Sequence, residues 1–329
     1  MKEKPIRRTS IGGQALIEGI MMRGVSKGAM AVRKKDGTID VEEWDLPERK
    51  WYQKCPFVRG IFNFVLQVKD GMTYMNKSME KSGYLDDEEN EERSKLEKWL
   101  DEKFGDKIFP VITFIGGFLG IALAVVLFLF VPTWLFTGLQ ALLGDRDISP
   151  FRSLFEGLIK IAIYILYLWL TSLMKDIKRT YEYHGAEHKT IATYEAGEEL
   201  TVDNVKKHSR FHPRCGTSFV FLVLAVSILV TSLVPINSES FVIWFGISKG
   251  AADLLRVACK LLLLPLIVGI SYEIIKIAGR YDNIATRIIS APGLAMQRLT
   301  TREPDGSQIE CAIAAIKPCL PKEDEDDKW

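Results

Sequence analysis

"VITFIGGFLGIALAVVLFLFV", residues 111–131, carries no charged side chain. A helix that crosses a bilayer needs about 20 mostly apolar residues, so this run is long enough by itself. Apolar sequence continues to Leu143, and Pro132 with Gly138 predicts that the excess bends into an interfacial or re-entrant piece. Three more runs reach crossing length, at residues 153–174, 217–233 and 254–275, while 241–247 is too short and is expected at an interface. Gly116 and Gly120 form a GxxxG that would permit close helix packing. The fold class expected is mainly α: a polytopic membrane helical bundle of about four spans with a small α+β N-terminal region.

Outside these runs the chain is rich in charge, yet 43 Lys and Arg nearly balance 42 Asp and Glu. That balance points away from a nucleic-acid partner. The segregation of apolar and charged sequence makes the lipid bilayer the expected surrounding. The segment between the second and third runs holds Lys175, Lys178, Arg179, Lys189, Lys206, Lys207, Arg210 and Arg214, whereas the flanking loops hold only Arg146, Arg152 and Lys249. The positive-inside rule then places this segment and both termini in the cytoplasm. No apolar stretch follows the basic "MKEKPIRR" opening, so no cleavable signal is expected. Cys55, Cys215, Cys259, Cys311 and Cys319 show no paired spacing and suit a reducing compartment. Few ionisable groups fall inside the spans, which argues against an ion pump.

Three regions follow. Residues 1–110 form a cytoplasmic N-terminal region, where "AMAVRKKDGTIDVEEW" reads as two strands around the Asp36-Gly37 turn. In the same region Phe57, Ile61, Phe64, Val65, Val68, Met72 and Met75 fall at helical spacing. That helix could lie on the membrane or pack on the protein. Residues 85–105 are a charged helix or linker. Residues 111–275 form the four-span bundle and include a cytoplasmic His/Cys loop, 175–216. Residues 276–329 are a cytoplasmic C-terminal region, with a short amphipathic helix through Ile309, Ala312, Ile313 and Ile316 and a disordered acidic tail, "KEDEDDKW".

All four histidines, His184, His188, His208 and His212, fall in the central loop, with Cys215 three residues after the last. On a helix His184 and His188 stack one turn apart and can hold one metal ion. Glu187 between them lies about 100° around the helix, close enough to take a proton from a water on the ion without ligating it. His-x-x-Glu-His is the inverzincin order. His212 and Cys215 offer further ligands from a stiff Pro-Gly turn, and imidazole with thiolate favours zinc, then iron. Four protein ligands would make a closed structural site; three would leave a coordination position open. His208 lies in a basic run and is the weakest ligand candidate.

Together "GGQALIEGIMMRG", "VRG" at 58–60, "YHGAEHKTI", "HPRCGTSF" and "PGL…QRLTTREPD" resemble the YqhQ-like family over nearly the whole chain. These are bacterial polytopic membrane proteins described as predicted metal-dependent enzymes. The resemblance implies a functional core of Glu18, Arg23, His184, Glu187, His188, Lys189, His212, Arg214 and Cys215, with His208 outside it, in a bacterial cell membrane. Glu18 in its apolar setting would be a carboxylate near the metal or the partner of Arg23. Glu273 is expected beside Lys276 or at the interface.

The leading expectation is a zinc-dependent hydrolase at the cytoplasmic membrane face, with Glu187 as general base and a peptide or lipid substrate. The alternative is a scaffold, regulator or transporter component with a structural metal. A di-iron oxygenase needs more ligands than this loop offers.

Overall fold

The computed structural model describes residues 8–48, 50–84, 108–144, 146–234, 238–322 and 325–329, with the side chains of 108–114 excepted. The charged stretch 85–105 lies outside them. The chain divides into two compact units, one of residues 1–85, 167–223 and 268–329, the other of 86–166 and 224–267.

The first unit is built on a four-stranded antiparallel meander: β1 (Gly12–Leu16), β2 (Gly19–Arg23), β3 (Lys27–Arg33) and β4 (Ile39–Asp45). β3 and β4 are the expected hairpin; Gly37, at φ +83°, supplies the left-handed turn residue. β1 and β2 were not expected, because "QALIEGIMM" does not alternate. The reason is that both faces are covered. Ile20, Met22, Ala29 and Ala31 face one core, packed on α5 (Lys175–Glu195) and α11 (Gly306–Ile316). Leu16, Met21, Met30 and Val32 face the other, against Tyr74 and Met75 of α1 (Val58–Ser82). α1 therefore packs on the sheet by one side, and its Val65, Val68 and Met72 remain exposed.

α11 is the expected amphipathic helix: Ile309, Ala312 and Ile316 are fully buried, Glu310 is exposed, and a capping box from Asp305 and Gln308 starts it. The acidic tail differs from expectation: Asp327 is buried and accepts from Thr9 Oγ1 (2.8 Å) and Tyr194 Oη (3.0 Å), and Trp329 Nε1 donates to the Lys276 carbonyl. Its charge composition hid one carboxylate with two hydroxyl donors. This unit also holds α6 (Val202–Lys207) and α10 (Ile284–Thr300).

Among the described residues, four helices are long and apolar enough to cross a membrane. The first is one continuous helical run: α2 (Ile108–Val125), a wide π turn at Val126–Phe130, and α3 (Val131–Leu143). The chain was expected to leave the helix near Pro132; it continues to Leu143 instead, and the π turn spans the position where proline cannot donate its hydrogen bond. The others are α4 (Arg152–Thr171), α7 (Gly216–Leu233) and α9 (Lys249–Arg280); the short α8 is Ser238–Phe245. Gly116 and Gly120 meet no neighbouring atom within 4 Å of an added Cβ, so they mediate no helix contact among the described residues. Close packing instead occurs at Gly157, where a Cβ would lie 2.1 Å from Ile228.

In the second unit the expected scarcity of buried ionisable groups fails. Glu156, Lys160, Arg256 and Lys260 are all buried among these apolar helices. They fall two to a run, Glu156 with Lys160 and Arg256 with Lys260, each pair one helical turn apart in otherwise apolar sequence. Glu273 also differs from expectation, since Arg59 of α1 holds both its oxygens.

Candidate metal centre

α5 presents His184, Glu187 and His188 from one face, as the four-residue spacing requires. Two features bring other segments up to it. Gly185 allows the Arg302 carbonyl to approach, since a Cβ there would lie 2.0 Å from that oxygen. Gly13 of β1 does the same for Glu187, whose carboxyl carbon would sit 3.0 Å from an added Cβ. Cys215 closes the cluster from the residue just before α7.

His184, His188 and Cys215 each place one ligand atom within 4.8 Å of the others. Cys215 Sγ is 3.2 Å from His184 Nε2 and 3.2 Å from Thr217 Oγ1. Two ligands on tetrahedral zinc stand roughly 3.5 Å apart, given bonds of about 2.3 Å to sulfur and 2.0–2.1 Å to nitrogen. Each imidazole is fixed by its far nitrogen: His184 Nδ1 lies 2.8 Å from the Thr300 carbonyl, and His188 Nδ1 lies 2.7 Å from the Arg210 carbonyl. A carbonyl can only accept, so Nδ1 of each ring holds the proton and donates it. Nε2 of neutral His184 is then a bare lone pair facing the sulfur, as a ligand nitrogen must be.

Glu187 is buried, its Oε2 has no hydrogen-bond partner, and the Gly13 N–H donates to its carboxylate. Burial raises its pKa above the ordinary carboxylate range, against the opposing pull of His184 and His188. Burial alone would raise the Cys215 thiol, but His184 and then His188 pull it well below its ordinary value. For His184 burial acts downward, and Cys215, Glu187 and the Thr300 carbonyl together outweigh it, raising the ring to about 9. The donor set of two nitrogens and a soft sulfur suits zinc, and an orphaned carboxylate oxygen beside an incomplete shell fits a bound ion.

His212, expected as a ligand, is outside the trio. Its ring lies 5.5 Å from that of His188, and its Nε2 accepts from Arg214 (3.2 Å) and lies 3.7 Å from Glu195. Burial drops its pKa to about 4. Arg214 pairs with Glu195, so it braces the loop. Lys189 is also turned aside, donating to the Lys206 carbonyl and pairing with Glu303 at 2.8 Å. His208 pairs with Glu198. Glu18 and Arg23 are neither at the cluster nor partnered with each other. Glu18, held at φ +51°, accepts from Arg179 and Tyr183 Oη, while Arg23 pairs with Asp70.

Sequence reasoning missed Gln297 and the two backbone carbonyls. Gln297, fully buried on α10, donates to the His212 carbonyl (2.7 Å) and Ser218 Oγ (2.9 Å) and accepts from the His212 N–H (2.8 Å). It sets the height at which the "HPRC" loop offers Cys215. Carbonyl acceptors leave no residue-type signal, but Gln297 did stand in the quoted "PGL…QRLTTREPD" motif.

A groove of about 490 Å³ is lined by Gln14, Phe64, Val68, Met72, Gly216 and Phe219 among others. Gln14 and Gly216 are the chain neighbours of Gly13 and Cys215.

The family described as "Protein of unknown function (DUF1385)" matches residues 55–322, a range that includes the whole trio and Glu187. The chain is 33% identical over 319 residues to "Uncharacterized protein YqhQ" of Bacillus subtilis (strain 168), covering 94% of this chain and 92% of that one. No solved structure matches.

Proposed function

The chain belongs to the DUF1385 family, and from that premise we propose that it is a membrane-embedded, zinc-dependent hydrolase acting at the cytoplasmic face of a bacterial membrane. One observation carries the reading: a three-ligand trio with its imidazole hydrogens tied to carbonyls stands beside a buried carboxylate with a free oxygen. His184, His188 and Cys215 would hold the ion, which when bound polarises an oxygen of the substrate or of water. With three protein ligands, one coordination position stays open to a reactant. Glu187 Oε2 has no competing donor and burial raises its pKa, which suits a group that accepts a proton and returns it. The groove that includes Gln14 and Gly216, the chain neighbours of Gly13 and Cys215, is lined mainly by apolar side chains, which favours a lipid or an apolar peptide segment as substrate. A bilayer setting is supported by the four apolar helices and by fully lipid-like surfaces such as Ile115, Phe118, Leu119 and Ile121, all exposed.

The test compares purified wild type, Glu187→Gln and His188→Ala for bound zinc and for cleavage of fluorogenic acyl-peptides in proteoliposomes. The reading expects Glu187→Gln to keep its zinc and lose turnover by about 10²-fold or more, and His188→Ala to lose zinc. A Glu187→Gln protein that matches wild type in both would leave the metal a structural clip, the part of a scaffold or transporter component.

A further inference from the structure

A second site is built into the apolar helices of the other unit. Glu156, one turn into α4, is 2% exposed and serves three cations at once. Arg152 Nε donates to Oε1 at 3.0 Å, Arg256 Nη2 to Oε1 at 2.7 Å, and Lys260 Nζ to Oε2 at 2.5 Å. Thr133 of α3 joins them, donating to Glu156 and accepting from Arg256. Lys160, one turn further along α4, is 9% exposed, and its ammonium has no hydrogen-bond or ion-pair partner among the described residues. It nevertheless lies in the field of Glu156, Arg256 and Lys260.

Four cations against one carboxylate leave three positive charges in excess. Asp253, the next acid along α9, is committed to Ser238 Oγ at 2.5 Å and offsets at most one of them. Removing ions from water costs several kcal/mol each unless a counter-charge and hydrogen bonds replace it. One shared carboxylate satisfies Arg152, Arg256 and Lys260 and leaves Lys160 bare. The arrangement also differs from a simple helix-pairing salt bridge, because it gathers donors from α4 and α9 toward a single region and saturates only part of them. Guanidinium forks with ammonium groups are the donors that bind phosphate oxygens.

We propose that Arg152, Lys160, Arg256 and Lys260 form a binding site for a phosphate-type anion, supplied either as free phosphate or as the headgroup of an anionic phospholipid. Lys160 is the group that the anion engages first, since it alone has no internal partner. By a rise of 1.5 Å per residue Arg152 and Lys160 stand at roughly 0 and 12 Å along α4, and Arg256 and Lys260 at roughly 10 and 16 Å along α9. This site is independent of the metal centre, and neither reading requires the other.

The experiment uses the full chain in phosphatidylcholine nanodiscs. One arm titrates inorganic phosphate and measures saturable binding; the other exchanges phosphatidylglycerol into the discs and records retained lipid by native mass spectrometry. The proposal expects saturable binding in at least one arm, weakened tenfold or more by Lys160→Met and restored by Lys160→Arg. Binding of inorganic phosphate identifies a soluble anion, and retention of phosphatidylglycerol that phosphate does not displace identifies the lipid. Absence of saturable binding in both arms for wild type overturns the proposal. So does a Lys160→Met protein that binds as wild type does. Should Lys160→Met fail to insert, the wild-type titrations alone decide.

Discussion

Zinc should stabilise the wild-type protein, and losing His188 should abolish that gain even though the substitution is damaging for other reasons. His188 is 2% exposed and donates to the Arg210 carbonyl at 2.7 Å. His188→Ala removes a hydrogen bond worth about 1 kcal/mol, orphans the carbonyl and opens a cavity, together about 3 kcal/mol without any metal. The informative quantity is therefore the increment that zinc adds to each protein. With free zinc buffered at about 100 times its Kd, binding to the folded state alone contributes about 2.7 kcal/mol. At about 2–4 °C per kcal/mol for a chain of this size, wild type should melt about 5–11 °C higher in zinc than in chelator. For His188→Ala and for Cys215→Ser the increment should fall to under about 2 °C. Tryptophan-fluorescence melts in detergent measure it. Equal increments in wild type and His188→Ala would refute the argument, because the ion would then be bound elsewhere.

Three further outcomes follow from the packing. Gln297→Ala should destabilise by about 3 kcal/mol or more, because it leaves the buried N–H and carbonyl of His212 unpaired; urea unfolding checks this. Gly185→Ala and Gly116→Ala are the same change on two helices with opposite expected signs. The first drives a Cβ to 2.0 Å from the Arg302 carbonyl and should cost about 3 kcal/mol, while the second meets nothing and should be neutral or gain up to about 1 kcal/mol, read as melting temperatures. The last concerns acid. His212 has a folded pKa of about 4 against about 6.5 unfolded, so between those values only the unfolded chain holds the proton. Its contribution is complete above pH 6.5 and is lost as pH falls toward 4, about 3 kcal/mol in all. In chelator, urea midpoints of His212→Asn should fall less steeply across that window than those of wild type.

The four apolar helices were legible because length and apolarity alone identify such runs, and the β3–β4 hairpin because Asp36-Gly37 announces its turn. β1 and β2 were not, since a strand covered on both faces carries no period-two signal. In the site, the spacing of His184, Glu187 and His188 on one helix face was readable, and so was Cys215 as a companion. The position of His212 was not: three residues of separation from Cys215 fit a ligand pair equally well, and it is the loop's hydrogen bonds, from His212 N–H to Gln297 and from Arg214 to Glu195, that hold the ring aside. Glu18 and Arg23 look like partners in sequence, but the tight β1–β2 turn and the antiparallel pairing send them to Arg179 and Asp70. The buried charges of α4 and α9 went unnoticed because a window average hides two ions among many apolar residues.

The central claim is a zinc ion held by two imidazoles and one thiolate. X-ray absorption at the zinc edge on protein purified without added chelator tests it most directly. The account predicts about one zinc per chain with one sulfur at about 2.3 Å, two imidazole nitrogens at about 2.0–2.1 Å and one further light atom. Protein free of metal, or an ion whose shell lacks sulfur or contains three imidazoles and a sulfur, would contradict it.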